Sequence, residues 1–265
     1  MDQLPIGVFD TGLGGLSCVR EMNICMPGED IIYFGDTARV PYGSKSKETV
    51  TKFSLQIVDF LIKKNVKAVI IACNTASSNS FEEIKNACPL PMVEVIKPGA
   101  RLCAEKGAAS VGVIATEATV RTGLYEKYLK ESIPGVKVYS KACPLFVPLV
   151  EEGWVRNSVA RLTAEVYLQE MLDYGIDSLV LGCTHYPLLI ECIKDVAGGV
   201  AVINPAEAVA REMKGLLAEN GMESGKASST NHVFYVSDDT SKFNRICRTV
   251  FGRDYDASIV SAFAD

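Results

Sequence analysis

A chain of 265 residues with 48% hydrophobic and 22% charged side chains has the make-up of a soluble globular protein, and it is long enough for two α/β domains of ordinary size. Its formal charge of −5 excludes a general nucleic-acid binder, which needs a basic surface to displace counterions from phosphates. No run approaches the roughly 18 apolar residues of a transmembrane helix, so no membrane partner is expected.

The opening MDQLPIGVFDTG has neither a basic region nor a separate apolar stretch. No signal peptide is therefore expected, and the expected location is cytoplasmic. Strands are predicted at Ile6–Phe9, Ile31–Phe34, Ala68–Ala72, Met92–Val95, Val111–Ile114, Lys137–Tyr139, Ser178–Leu181, Val200–Ile203 and His232–Val236. Helical periodicity lies between them, clearest over Glu48–Lys63, Gly123–Glu131, Arg156–Tyr174 and Ala206–Glu219. Short, evenly apolar strands alternating with helices predict an α/β fold with mainly parallel sheets covered on both faces.

The pattern is written twice. Ile6-Gly-Val-Phe-Asp-Thr11 is matched by Val111-Gly-Val-Ile-Ala-Thr116, 105 positions on (6 to 111). The run that ends at Cys73-Asn-Thr75 is matched by the run that ends at Cys183-Thr-His185, 110 positions on (73 to 183). Two matches in the same order at nearly one offset imply two similar α/β domains. Ligands of open α/β sheets bind beyond the carboxyl ends of the strands, where Asp10, Thr11, Cys73, Thr116 and Cys183 all fall. If the domains face one another about a pseudo-twofold axis, the two cysteines meet in one interdomain cleft.

Nine cysteines and two histidines, with no C-x-x-C pair, supply neither a disulfide framework nor a zinc site, so no metal is expected. Cys18, Cys25, Cys88, Cys103, Cys143, Cys192 and Cys247 read as structural. Cys73 and Cys183 alone would read as core cysteines too. As a matched pair at strand–helix junctions, where a helix N-terminus favours thiolate, they read as chemical. The glycine-rich turn Asp10-Thr-Gly-Leu-Gly-Gly15 does not fit the dinucleotide fingerprint, and no phosphate-cradling G-x-x-x-x-G-K-[ST] loop occurs. The loop Gly35-Asp-Thr-Ala-Arg-Val-Pro-Tyr-Gly43 offers Arg39 and Tyr42 to a ligand carboxylate, or is simply a surface loop. Thr116 and Thr119 are hydroxyls at a strand end, or helix caps. His185 alone reads as structural, and beside Cys183 as a proton partner for that thiol; Glu151 or Glu152 either orients it or is simply solvated.

Taken together, Asp10-Thr-Gly-Leu-Gly-Gly-Leu16, Gly35–Gly43, Ala72-Cys-Asn-Thr-Ala76 and Leu181-Gly-Cys-Thr-His-Tyr-Pro-Leu-Leu189 resemble the glutamate racemases of the aspartate/glutamate racemase superfamily over essentially the whole chain. The segment Pro144-Leu-Phe-Val-Pro-Leu-Val-Glu-Glu-Gly153 adds to the resemblance. It implies an active site between two domains, the first spanning 1–97 plus a returning 208–265, the second 98–207. It also implies interconversion of L- and D-glutamate with no cofactor, as a source of D-glutamate for peptidoglycan, by a protein that is monomeric or a homodimer. Carried over by position, Cys73 and Cys183 are the acid–base pair, Asp10 assists Cys73, and His185, supported by Glu151, assists Cys183. Asp10, Thr11, Pro41, Tyr42, Gly43, Asn74, Thr75, Thr184 and His185 fall at substrate-binding positions, joined by Thr116 and Thr119. Thr11, Ala115 and Asn204 stand where the family often has Ser, Gly and Asp, which leaves the chemistry intact. The N-terminal extension of members activated by a peptidoglycan precursor is absent, so no such activation is expected. The remaining alternatives are the same chemistry on aspartate or a hydantoin, a thiol redox enzyme, and a non-catalytic binding protein on this fold.

Overall fold

Residues 3–228, 231–238 and 241–260 are described by the computed structural model. Their strands are β1 (Ile6–Asp10), β2 (Ile31–Gly35), β3 (Ala68–Ile71), β4 (Met92–Glu94), β5 (Ser110–Ala115), β6 (Lys137–Ala142), β7 (Ser178–Gly182), β8 (Ala201–Ile203), β9 (His232–Val236) and β10 (Ala257–Ile259). They form two sheets, ordered β10-β9-β2-β1-β3-β4 and β6-β5-β7-β8, in which the paired strands run parallel. The order β2-β1-β3-β4 reappears as β6-β5-β7-β8, so the sequence repeat is a repeat of topology. The first sheet then gains β9 and β10 from the far end of the chain, beside β2.

The helices are α1 (Leu16–Cys25), α2 (Lys47–Lys63), α3 (Asn74–Ala87), α4 (Ile96–Glu105), α5 (Glu117–Thr122), α6 (Leu124–Ser132), α7 (Phe146–Glu151), α8 (Ser158–Asp173), α9 (Ile190–Ala197), α10 (Pro205–Glu219) and α11 (Ser241–Phe251). Helix α2 shows how local chemistry sets them. The Ser46 hydroxyl accepts from Thr49 N, Glu48 sits in the first turn and Lys63 in the last, while Val50, Ile57, Val58 and Leu61 form the buried stripe. Asn65, at φ 56°, turns the chain out of the helix.

Alternation along the strands divides the core into three layers. In β1, Ile6 and Val8 point to one face and Phe9 to the other; in β3, Ala68 and Ile70 oppose Val69 and Ile71. One outer core packs Phe9, Phe34 and Ile71 on Ile57 and Leu61 of α2. The other packs Leu179 and Leu181 on Phe146 of α7, Leu168 of α8 and Ile193 of α9. The middle core is shared by both sheets and includes Val19, Ile96, Val113, Val180, Met213 and Phe243. Burying each such side chain contributes about 1.5–3 kcal/mol.

Several boundaries differ from the sequence reading. The stretch predicted as one helix from Gly123 begins at Leu124, because Gly123 is left-handed (φ 64°) and separates α5 from α6. Helix α8 starts at Ser158, where Asn157 caps it by accepting from Ala160 N at 2.9 Å. Strand β10 was not anticipated, being three residues long with two of them exposed. No helix among the described residues is long and apolar enough to cross a membrane. Of the returning segment 208–265, residues 229–230, 239–240 and 261–265 lie outside the described residues, as do residues 1–2 of the first segment.

Candidate active site

Both sheets change direction at their first strand: β1 lies between β2 and β3, and β5 between β6 and β7. Loops leaving such a pair diverge and open a crevice beyond the strand ends. Thr11 follows β1 and Cys73 follows β3; Thr116 follows β5 and Cys183 follows β7. The two crevices face each other across one cavity, lined by Thr11, Val40, Pro41, Tyr42, Gly43, Cys73, Asn74 and Thr75 from the first half and by Thr116, Val147, Cys183, Thr184 and His185 from the second. The loops touch at glycines. A Cβ on Gly14 would lie 2.7 Å from the Thr184 carbonyl carbon, and one on Gly43 would lie 2.7 Å from Thr116 Cβ. The cavity has a free volume of about 20 Å³. That is room for about one water, so the cleft is closed.

Cys73 caps α3, and its sulfur accepts from Ala76 N at 3.4 Å. Its thiol donates to Thr11 Oγ1 at 3.6 Å. Burial, and after it the charge of Asp10, push this thiol well above its ordinary value, against the pull of the Ala76 N–H and the Thr11 hydroxyl. The helix N-terminus, expected to favour thiolate, is outweighed. Asp10 is fully buried behind the cavity wall and accepts from Gly15 N at 2.9 Å. The Thr184 hydroxyl reaches its two oxygens at 3.2 and 3.3 Å, a hydrogen bond between the halves.

Cys183 has different support. A 3-10 turn, Tyr186–Leu189, separates it from α9, so no α-helix starts at the sulfur as the motif had suggested. Instead, His185 Nδ1 lies 3.9 Å from Cys183 Sγ, and His185 Nε2 lies 2.8 Å from Glu151 Oε1 at the end of α7. Of the two candidate glutamates, Glu151 thus meets the histidine. Burial pushes the imidazole down, but the hydrogen bonds and charges of Cys183 and Glu151 outweigh it and raise His185 well above 6.5. Burial likewise pushes Glu151 up, and His185, Lys242 and Arg245 more than reverse this, leaving its carboxyl below 4.5.

The remaining candidates fall into two groups. Thr75, Thr116 and Thr119 form a hydroxyl cluster, with Oγ1 separations of 3.0, 3.1 and 3.4 Å; Thr116 also caps α5. Thr119 stands behind Thr116, off the cavity wall. Asn74 is fixed by Tyr125, whose hydroxyl donates to Oδ1 at 2.6 Å. Tyr42 lines the cavity, but its hydroxyl donates to buried Asp36, so it is the ring and main chain of the Pro41–Gly43 turn that face inward. Arg39 does not line the cavity. Its guanidinium is held by Asp36 at 2.6 Å and Gln56 at 2.7 Å and lies over Phe53. Asp36, Val40 and Val147 lie within motifs that the sequence reading quoted without singling them out, and Tyr125 lies outside any motif. Among the described residues no group of three or more His, Cys, Asp or Glu side chains is placed to hold a metal ion.

The signature of the Asp/Glu/Hydantoin racemase family matches residues 6–213. Glutamate racemase of Geobacter metallireducens is 46% identical over 249 residues, covering 93% of this chain and 92% of that one. Glutamate racemase of Neisseria meningitidis serogroup A is 46% identical over 253 residues, 95% and 94% of the two chains. The crystal structure of glutamate racemase from Francisella tularensis in complex with D-glutamate superposes with a TM-score of 0.92 at 40% identity, over 99% of each chain. That from Thermus thermophilus in complex with β-chloro-D-alanine gives 0.88 at 39% identity, over 98% of each. The chain belongs to the Asp/Glu/Hydantoin racemase family, and the members it resembles in both sequence and fold are glutamate racemases.

Proposed function

We propose that this protein interconverts L- and D-glutamate by proton transfer between two thiols, with no cofactor. The observation that carries the reading is the placement of Cys73 and Cys183 on one closed cavity, each at the end of the third strand of its half. The glutamate named with the Francisella structure, and the L-glutamate named with the Escherichia coli enzyme, support the substrate. The role that follows is a supply of D-glutamate for peptidoglycan.

In one direction the thiolate of Cys183 takes the α-hydrogen of L-glutamate, breaking C–H and forming S–H. The thiol of Cys73 then delivers its proton to the opposite face, breaking S–H and forming the new C–H. The reverse direction exchanges the roles. The α-hydrogen is a very weak acid, so the carbanion-like state needs hydrogen-bond donors fixed in advance in a water-poor site. The hydroxyls of Thr11, Thr75 and Thr116 and the main chain of Pro41–Gly43 and Asn74 are the groups that line the cavity for this, while the Thr184 hydroxyl is committed to Asp10; Thr119 acts through Thr116. Asp10 orders the Cys73 side through its charge and its bond to Thr184, and His185 with Glu151 exchanges protons at Cys183. General acid–base transfer contributes about 10²–10⁴-fold, and positioning with electrostatics supplies the remainder.

We also read the halves as domains, 1–97 with 208–265 and 98–207, that part to admit substrate, since a cavity with room for about one water cannot admit an amino acid closed. A panel of L- and D-glutamate, aspartate and hydantoins, given to metal-free protein in reducing buffer, tests the substrate. Racemisation of glutamate well ahead of the others is expected; preference for aspartate or a hydantoin would move the protein to another branch of the family.

A further inference from the structure

Glu151 is gripped from three directions, and only one of them is the histidine it serves. Lys242 Nζ lies 3.8 Å from Glu151 Oε2 and 3.7 Å from Glu152 Oε1. Arg245 donates through Nη2 to the Glu151 main-chain oxygen. Its side chain also lies over Gly153, where a Cβ would sit 3.8–3.9 Å from the guanidinium. Gly153 is left-handed at φ 77°, so it combines an open face for Arg245 with the turn that ends α7.

The two cations come from the opposite half of the molecule. Helix α11 is anchored by Phe243, Ile246 and Cys247 in the middle core, beside α1 and with Phe243 against Phe234 of β9 in the first sheet. Helix α7 is anchored by Phe146, Leu149 and Val150 in the outer core of the second. The α11–α7 contact therefore crosses the cleft and is made only when the halves are together. Of the other titratable groups around the pair, Cys183 on the His185 loop and Glu152 beside Glu151 lie on the same half as it does, whereas Asp10, reached through Thr184, and Cys73, across the cavity, belong to the first half and move with α11; neither is altered in the Lys242 and Arg245 variants.

We infer that Lys242 and Arg245 are positioning residues that fix Glu151 against His185 on closure, so that the proton-transfer unit at Cys183 is assembled only in the closed cleft. This rests on the two-thiol reading above. The Glu151 carboxylate gives Oε1 to the imidazole and turns Oε2 to the ammonium, while the guanidinium fixes the main chain that carries it. Two positive charges on that carboxylate favour its ionised form, and an ionised Glu151 keeps the imidazole protonated beside Cys183. When α11 withdraws, Glu151 loses both cations and gains water, and its hold on the imidazole proton weakens. The exposed ion pair at Lys242 adds little to stability, since it is screened. Its effect lies in orientation.

The chain has only two histidines, His185 and His232, so the imidazole nitrogens of ¹⁵N-labelled protein give two titrations, assigned with His232→Gln. Wild type, Lys242→Met, Arg245→Met, the double variant and Lys242→Arg are compared. The His185 midpoint is expected to move to lower pH in each Met variant, furthest in the double, and to return toward wild type in Lys242→Arg. The alkaline limb of kcat/KM should move with it, and kcat should fall about tenfold with KM for glutamate held within about twofold. Should the double variant not fold, Lys242→Met carries the same prediction at a half-exposed side chain. An unmoved His185 midpoint in folded Met variants overturns the inference, as does a uniform fall in kcat/KM with no displacement of the limb. The NMR titration needs no turnover, so a midpoint that moves in a protein inactive on glutamate upholds the coupling and refutes only the substrate reading.

Discussion

Gly14→Ala tests whether the closed contact between the halves is the reactive arrangement. The added Cβ would lie 2.7 Å from the Thr184 carbonyl carbon and Oγ1 and 2.8 Å from His185 N. Carbon atoms rest at roughly 3.5–4.0 Å, so the two loops must part by about 1 Å. The obstruction is main chain and cannot rotate away. Gly14 is not left-handed, so the backbone itself accepts alanine without strain. Because the contact lies between the halves, a slightly wider cleft is the easiest response. A displacement of about 1 Å in a catalytic arrangement costs about 10²-fold. Racemisation of both glutamate enantiomers, followed by circular dichroism, should lose about 10²-fold in kcat/KM, equivalent to about 2.7 kcal/mol of barrier. The thermal midpoint should drop little. Gly43→Ala, which meets Thr116 at 2.7 Å, should behave alike. Gly107→Ala is the contrast: its Cβ meets nothing within 4 Å but its φ is 73°, so it should lose stability and keep activity. Wild-type kcat/KM in Gly14→Ala would refute the claim that chemistry needs this contact.

Other outcomes follow from the same geometry. Cys73→Ala and Cys183→Ala should each abolish racemisation while keeping the fold, as read by circular dichroism; activity surviving in either would remove the two-thiol assignment. Glu151→Gln should destabilise the protein most between about pH 4.5 and 6.5. The raised His185 value stabilises fully below its unfolded 6.5 and is lost as pH rises through the folded value, while the lowered Glu151 value stabilises above its unfolded 4.5 and is lost as pH falls. A difference in thermal midpoint that stays flat with pH would contradict this. Glu94 accepts from Ile96 N at 2.5 Å and Lys97 N at 2.7 Å, yet burial raises its carboxyl to about 7. Its folded value exceeds the unfolded 4.5, so wild-type stability falls as pH rises from 4.5 to 7, and Glu94→Gln should gain on wild type over that window. No relative gain in a midpoint-versus-pH series would mean that Glu94 stays ionised when folded.

Strands β1, β2, β3, β5 and β7 were legible because they are runs of buried, largely apolar residues, while β6, at the edge of its sheet and with no buried residue, was legible only over its first half. β10 and the six-residue helices α5 and α7 carry too few residues to show a period. The division of the chain in two was visible, whereas the core shared by both sheets was not, since residues such as Val19, Val180 and Phe243 meet only in three dimensions. At the site, the sulfurs and hydroxyls were readable from their places at strand ends. What holds them was not. Tyr125 on Asn74 and Arg245 on Glu151 are pairs 51 and 94 residues apart, which no local spacing encodes. At Cys73 burial outweighs the pull of the helix N-terminus toward thiolate, and a sequence shows the helix more readily than the depth.

The most direct test of two thiols working from opposite faces is racemisation of L-glutamate in D₂O, sampled early, with α-deuterium measured separately in substrate and product. The account predicts D-glutamate carrying solvent deuterium, delivered by Cys73, while recovered L-glutamate keeps its α-hydrogen. D-glutamate retaining the substrate's own hydrogen would mean a single base returning the same proton. Absence of both turnover and exchange would mean that the cavity between Cys73 and Cys183 is not a glutamate racemase site.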